Sequence, residues 1–325
     1  MTDLLVVSLT WTLCAALLVT PVSSIPLDQG DIRLVVQGAE KFSLHRNIVA
    51  FISNGLREGS YAAVSLRSLA KQRVDNVLII GVQAGEDSDN TGHFDASVSF
   101  SDHVVATTQK PQCDQPDLRR FLSCWRLKYT LELVRAGFNV FQADLDILYF
   151  SNPFDHFSTK NDVEIMSDGV IEELVYGYPI LNHTPNNVDK EPGLWEFRIN
   201  GLNIGCMFVR STEPSIELFE AVLAVLNSSS HWEQKVVSYE LMHRSVMGKL
   251  RMTILNPWLF TNSGFLERHA EPEFKPVLLH SSHHGDKHKM LLDALSLTRA
   301  PMKPVGQYTF DHNGPYGEFA DVFNR

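Results

Sequence analysis

Apolar residues along the chain fall into short continuous runs, and helically spaced segments and polar turns separate them. Asn47–Ser53 (NIVAFIS) and Val77–Val82 (VLIIGV) are too short and too uniformly apolar for amphipathic helices and predict buried strands. Asn54-Gly55 and the acidic turn Gly85-Glu86-Asp87 mark their ends. Between them, Tyr61–Lys71 sets Ala62, Leu66, Leu69 and Ala70 on one side of a predicted helix. The stretch from Thr91 to Pro116 reads as a long surface loop holding one weak strand. Asp117 then caps a helix over Leu118–Ala136 with Gly137 as its stop, and Phe138–Ala143 follows as a strand. Val163–Met166 is a short strand running into Ser167-Asp168. Leu202–Val209 (LNIGCMFV) is another, followed by a helix over Pro214–Leu226 with proline in its first turn. Glu233–Met247 predicts a further helix and Pro276–His280 a last strand, which breaks into SSHHGDKHK. Ile171–Gly201, interrupted by Pro179, Pro185 and Pro192, reads as a functional loop. Strand and helix alternate, so the fold class is α/β, with ligands expected beyond the carboxyl ends of the strands.

The first residues stand apart. Leu4–Val22 carries no charge, is close to the ~20 residues that span a bilayer, and leads to Val22 and Ser24 in a cleavage-like setting before Ile25. Residues 1–24 therefore read as a signal peptide or a signal anchor, and the absence of Lys and Arg from Met1–Asp3 leaves both open. Residues 25–45 read as a polar lead-in, 46–297 as one catalytic-sized domain, and 298–325 as a C-terminal tail. No internal repeat or linker divides the chain.

A lumenal setting fits two sequons, Asn182-His183-Thr184 and Asn227-Ser228-Ser229, both expected at exposed sites. Beyond Cys14 in the leader, Cys113 and Cys124 flank a short segment, and either pair in an oxidising lumen or remain buried thiols; Cys206 stands alone in an apolar run. The 325 residues carry a formal net charge of -10. That balance argues against sequence-independent nucleic-acid binding, and requires a local basic site or a metal for any anionic ligand.

The chemistry centres on NVFQADLDILYF, residues 139–150. Asp144 and Asp146 lie two apart and so share a face of an extended chain. At roughly 6 Å and an effective dielectric near 20, two such charges repel by about 3 kcal/mol. A hard divalent cation, Mn²⁺ or Mg²⁺, removes that repulsion and bridges to phosphate oxygens. Without further context, a DxD is more simply a solvated turn.

The context is specific. Gly137, an apolar strand, Asp144-x-Asp146, more apolar residues and Asn152-Pro153-Phe154 together resemble the nucleotide-diphospho-sugar transferases, in particular the plant-type α-xylosyl-, galactosyl- and arabinosyltransferases. The likeness runs from about Arg46 to Leu295. It implies a single A-type glycosyltransferase domain with a mixed central sheet. Asn203-Ile204-Gly205-Cys206-Met207-Phe208-Val209-Arg210-Ser211-Thr212, Glu233-Gln234 and His280 match later landmarks of the family in order. The resemblance implies a third metal ligand in His280, diphosphate contacts from Gly285 and Lys287 or Lys289, and catalytic-site roles for Asn203 and Gln234. It also implies that Arg126 of Arg126-Leu127-Lys128 approaches the donor sugar. Arg126 and Lys128 lie about 200° apart on a helix, so only one of them faces the site. By fold analogy Ser53 and Asn54 meet the base or ribose, and Asp168 the sugar hydroxyls. Ile171–Gly201 is the acceptor-facing candidate.

The expected activity is transfer, with retention, from a UDP-sugar to a glycan or glycoprotein in the secretory pathway, in the Golgi lumen. A secreted or tethered binding domain of the same fold that has lost turnover is the alternative, raised by Glu233 where the family usually has Asp. A haloacid-dehalogenase-type phosphatase is disfavoured, since Leu148 occupies the position two after the second aspartate and two α/β units precede the motif.

Overall fold

The structure, a computed structural model, describes residues 29–53, 56–57, 59–82, 94–107, 118–175, 178–179, 198–199, 201–229, 231–269, 276–282 and 284–297. The leader, Asn54, Cys113, Asn182 and most of the 171–201 segment lie outside them. Among the described residues, no helix is long and apolar enough to cross a membrane.

In chain order the elements are α1 (Gln29–Phe42), β1 (Asn47–Ser53), α2 (Tyr61–Lys71), β2 (Val77–Val82), β3 (Val104–Thr107), α3 (Leu118–Arg135), β4 (Asn139–Ala143), β5 (Ile147–Tyr149), β6 (Val163–Ser167), α4 (Glu172–Val175), β7 (Tyr178–Pro179), β8 (Arg198–Ile199), β9 (Leu202–Val209), α5 (Glu213–Ser228), α6 (Glu233–Val246), β10 (Met252–Ile254), β11 (Phe260–Asn262), α7 (Ser263–His269), β12 (Leu278–His280) and α8 (Lys287–Leu297). The expected α/β class and mixed central sheet are present. Seven strands run in the order β10-β6-β9-β4-β1-β2-β3. β1 pairs in parallel with β2 and β4, whereas β9 is antiparallel to both of its neighbours, β4 and β6.

Alternation along the strands makes two cores. Ile48, Ala50, Leu78, Ile80, Val140, Ile165, Met207 and Val209 face α1, α3, α5 and α6, while Val49, Phe51, Ile79, Phe141, Cys206 and Phe208 face α2 and a smaller sheet. That smaller sheet, β11-β12-β5, is what the apolar pattern missed. The residues after the DxD are not a continuation of β4. They turn off the main sheet and pair antiparallel with β12, setting Ile147 opposite His280.

Two further differences from the expectation have clear causes. The lead-in is not merely polar, because Gln29–Phe42 is helical and puts Val35 and Ala39 into the core. Asn227 lies in the last turn of α5, half-buried with its Oδ1 enclosed and unpartnered, rather than at an exposed site. The stop at Gly137 takes the form of a left-handed helix cap. Gly137 has φ +90°, its N–H donates to Val134 O at 3.1 Å, and Phe138 N–H donates to Leu133 O at 3.0 Å. α3 thus delivers the chain directly into β4.

Candidate active site

Three chain segments meet beyond the carboxyl end of β4. β4 carries Asp144 and Asp146 just past its last residue. β9 lies beside it, with Cys206 opposite Ala143 and Gly205 O accepting from Asp144 N at 2.8 Å. β12 ends in His280, and the Ser281 N–H and hydroxyl both donate to Asp146 O at 3.0 Å. The backbone therefore fixes where all three candidate ligands begin.

Their side chains converge. One ligand atom from each of Asp144, Asp146 and His280 lies within 4.8 Å of the others. His280 Nε2 is 3.0 Å from Asp146 Oδ1 and 3.6 Å from Asp144 Oδ2. His280 and Asp146 are 2% and 3% exposed, whereas the Asp144 side chain is 38% accessible and forms the solvent-facing edge. Gly205 makes room for this meeting. A Cβ there would run into the Asp144 carboxylate and stand 2.7 Å from His280 Cε1.

Cationic side chains surround the carboxylates. Arg126 Nη1 on α3 donates to Asp144 Oδ1, and Lys287 Nζ at the start of α8 donates to Asp146 Oδ2 at 2.5 Å. Burial pushes the Asp144 and Asp146 carboxyls up, but the charges beside them outweigh it. Arg126 and His280 hold Asp144 low, and His280 and Lys287 hold Asp146 far below the usual carboxylate range. Burial pulls the His280 imidazole down, the two aspartates more than reverse it, and the ring titrates at about 9.

The residues fit a divalent cation on three grounds. The donor set is two carboxylates and one imidazole, which suits Mn²⁺ and accommodates Mg²⁺. Asp146 Oδ1 is a buried oxygen that has only a poorly aligned contact with His280 Nε2, 3.0 Å away, so both atoms can turn to a shared cation. The space between Asp144 and His280 is one that any side chain at 205 would fill.

A second cluster lies beside the first. Asp168, just after β6, accepts from Asn203 Nδ2 at its Oδ1 and from Gln234 Nε2 at its Oδ2, both at 2.5 Å. Asn203 belongs to β9 and Gln234 to the first turn of α6, so residues distant in sequence close on one carboxylate. Asn262 at the end of β11 holds the Asp168 turn, donating to Ser167 O at 3.2 Å and Gly169 O at 3.0 Å.

The remaining sequence candidates divide. Lys128 is 6% exposed, with Nζ bonded to nothing and its pKa lowered by burial, so it faces the protein interior while Arg126 faces the site. Lys289 pairs with Asp293 along α8, which leaves Lys287 as the lysine at the carboxylates. Gly285 stands in open space, where a Cβ would meet nothing within 4 Å. Ser53 ends β1, buried and opposite Gly81. Sequence reading overlooked Asn262, Ser281 and the steric role of Gly205. The Asn-Ser-Gly at 262–264, closing a short apolar run, is the one local signal of the first. Burial lowers the Lys287 pKa, but the Asp146 charge and hydrogen bond more than reverse it, and Tyr61 at the start of α2 is a further, lesser neighbour of the ammonium.

The chain is similar to known proteins over most of its length. A family model described as nucleotide-diphospho-sugar transferase matches residues 108–292. Two curated relatives in Arabidopsis thaliana are the arabinosyltransferases RRA1, 24% identical over 261 residues, and RRA2, 26% identical over 270. Each alignment covers 76% of this chain, which spans only 62% and 59% of the two relatives. Among solved structures, galactosyltransferase LgtC in complex with donor and acceptor sugar analogs superposes with a TM-score of 0.44 at 16% identity, over 78% of this chain and 97% of that one.

Proposed function

The chain belongs to the nucleotide-diphospho-sugar transferase family, and on that premise we propose that it is a metal-dependent glycosyltransferase acting on a UDP-sugar. The acceptor is a glycan or glycoprotein, and the anomeric configuration is retained. The observation that carries this reading is the convergence of Asp144, Asp146 and His280 from two distant segments, within 4.8 Å of one another. Those three residues would hold Mn²⁺ or Mg²⁺, which when bound supplies positive charge for the diphosphate and for the leaving nucleotide. Lys287 and Arg126 add fixed positive charge on either side, a local basic site in a chain of net charge -10. Gln234 presents its amide toward the sugar, and an amide is a poor nucleophile. Retention then proceeds by front-face displacement, in which the departing diphosphate takes the acceptor proton.

The two relatives are arabinosyltransferases, which makes a UDP-linked pentose the first donor to test. An oxidising, lumenal setting such as the Golgi is supported by Cys124, which is disulfide-bonded, while Cys206 is a buried free thiol. The test is UDP release from a panel of UDP-sugars by purified protein with Mn²⁺. Turnover is expected that chelator removes and that Asp146→Asn abolishes. Wild-type rates from Asp146→Asn contradict the metal assignment. Tight binding of Mn²⁺ and UDP without turnover of any sugar supports instead a binding domain of the same fold.

A further inference from the structure

Asn203 was expected among the catalytic-site residues. Its surroundings point to another role. It is 4% exposed, and both ends of its amide are engaged inside the protein. Oδ1 accepts from Gly205 N at 2.9 Å, and Nδ2 donates to Asp168 Oδ1 at 2.5 Å. Each of these contacts leads further. From Gly205 the carbonyl accepts the Asp144 N–H, and the missing Cβ sets how near Asp144 and His280 can come. From Asp168 the other carboxylate oxygen accepts Gln234 Nε2 at 2.5 Å. The backbone is irregular here as well: pairing of β6 with β9 jumps from Ile165–Met207 to Met166–Asn203, so Ile204–Cys206 bow out of that ladder. Gln142 Nε2 holds the bow from behind by donating to Ile204 O at 2.7 Å.

We propose that Asn203 is a positioning residue that joins the cation corner to the Asp168–Gln234 pair through one continuous hydrogen-bonded relay. The relay sets the spacing of Asp144 and His280 at one end. At the other it holds the Gln234 amide with its NH₂ on Asp168, which turns Oε1 away from that carboxylate. Groups that orient ligands without touching the metal commonly govern its affinity. For its turnover arm the inference rests on the proposed function. Its cation arm does not.

The test is a swap of hydrogen-bond polarity. Asn203→Asp keeps an acceptor for Gly205 N but turns a second carboxylate on Asp168. Adding Asp168→Asn restores the three bonds of the relay at the same total charge as the wild type, since the new amide at position 168 donates to the new carboxylate at position 203 and accepts from Gln234. Mn²⁺ affinity is measured with the metal alone, the thermal midpoint without it, and kcat and KM with the UDP-sugar that supports turnover. Asn203→Ala is expected to weaken Mn²⁺ binding by about tenfold or more. Asn203→Asp is expected to lower kcat by about 10- to 100-fold with a smaller change in donor KM, and the double variant to recover at least ~10-fold of that loss along with the midpoint. Should Asn203→Asp not fold, the double variant and Asn203→Ala still decide. Unchanged Mn²⁺ affinity in Asn203→Ala, or a double variant no better than the worse single one, overturns the relay. A wild-type protein that binds Mn²⁺ yet turns over no UDP-sugar removes the proposed function, and the relay is then judged on Mn²⁺ affinity and midpoint.

Discussion

Gly205→Ala adds a single methyl group at the most crowded point of the site. The new carbon would overlap the Asp144 carboxylate and stand 2.7 Å from His280 Cε1, closer than carbon atoms pack without movement. β9 resists retreat although Ile204–Cys206 leave the β6 ladder, because it is buried along its length, Gly205 O accepts Asp144 N, Gly205 N donates to Asn203 Oδ1 and Ile204 O accepts Gln142 Nε2. His280 cannot retreat either, being 2% exposed at the end of β12. The Asp144 side chain, partly open to solvent, is the group that yields, and it gives up its place facing His280. Loss of a well-placed ligand geometry costs about 10- to 100-fold in metal affinity, or roughly 1.4 to 2.7 kcal/mol. Overpacking adds a stability cost of about 1 to 3 kcal/mol. The two are separable by titrating Mn²⁺ against the free-ion electron paramagnetic resonance signal and by melting the metal-free protein. Mn²⁺ affinity within twofold of wild type in a folded Gly205→Ala protein would refute the steric argument.

Other expectations follow from the same structure. Lys287→Ala should raise the donor KM about three- to tenfold, as expected for one partly exposed charge-assisted hydrogen bond, while Lys289→Ala should leave it nearly unchanged. Steady-state kinetics at saturating Mn²⁺ reads both. Glu164 is buried in β6, accepting Ser158 N at 2.7 Å, and its desolvation outweighs that bond and the Arg210 charge, raising its carboxyl to about 7. Because the folded-state value lies above the unfolded one, this group favours folding fully below its ordinary pKa, and the benefit disappears as pH rises through about 7. Glu164→Gln should therefore be more stable than wild type at pH 8, by about 1 to 3 kcal/mol, and the gap should close by pH 5 in urea melts. Gly137→Ala meets no steric obstacle but forces alanine to φ +90°, which should cost about 1 to 2 kcal/mol and lower the thermal midpoint by several degrees.

Much of this was legible in the sequence, for identifiable reasons. β1, β2 and β9 are apolar runs with abrupt polar ends, and α3 carries its stop at Gly137. The order of DxD, Asn203, Gln234 and His280 announced a site before any geometry was known. α1 was hidden because Ile32, Val35, Val36, Ala39 and Phe42 are interleaved with charged and polar residues. Only their helical spacing marks them as a buried face. β5 was hidden because three apolar residues after a DxD look like more of the same strand. Their change of sheet depends on β12, well over a hundred residues away. Helix geometry allowed only one of Arg126 and Lys128 at the site and the family resemblance favoured Arg126, but neither could reveal that Lys128 is buried without a partner. The relay through Asn203 depends on an irregularity between β6 and β9 that has no sequence signature.

Everything proposed for the site turns on His280 completing a cation site begun by the two aspartates. Pulsed electron paramagnetic resonance of the Mn²⁺-loaded protein tests this directly, because a coordinated imidazole imposes ¹⁴N modulation on the manganese spin echo. That modulation is expected in the wild type and is expected to vanish in His280→Gln, with Mn²⁺ binding weakened. Manganese bound without nitrogen modulation, or modulation that persists in His280→Gln, would contradict it.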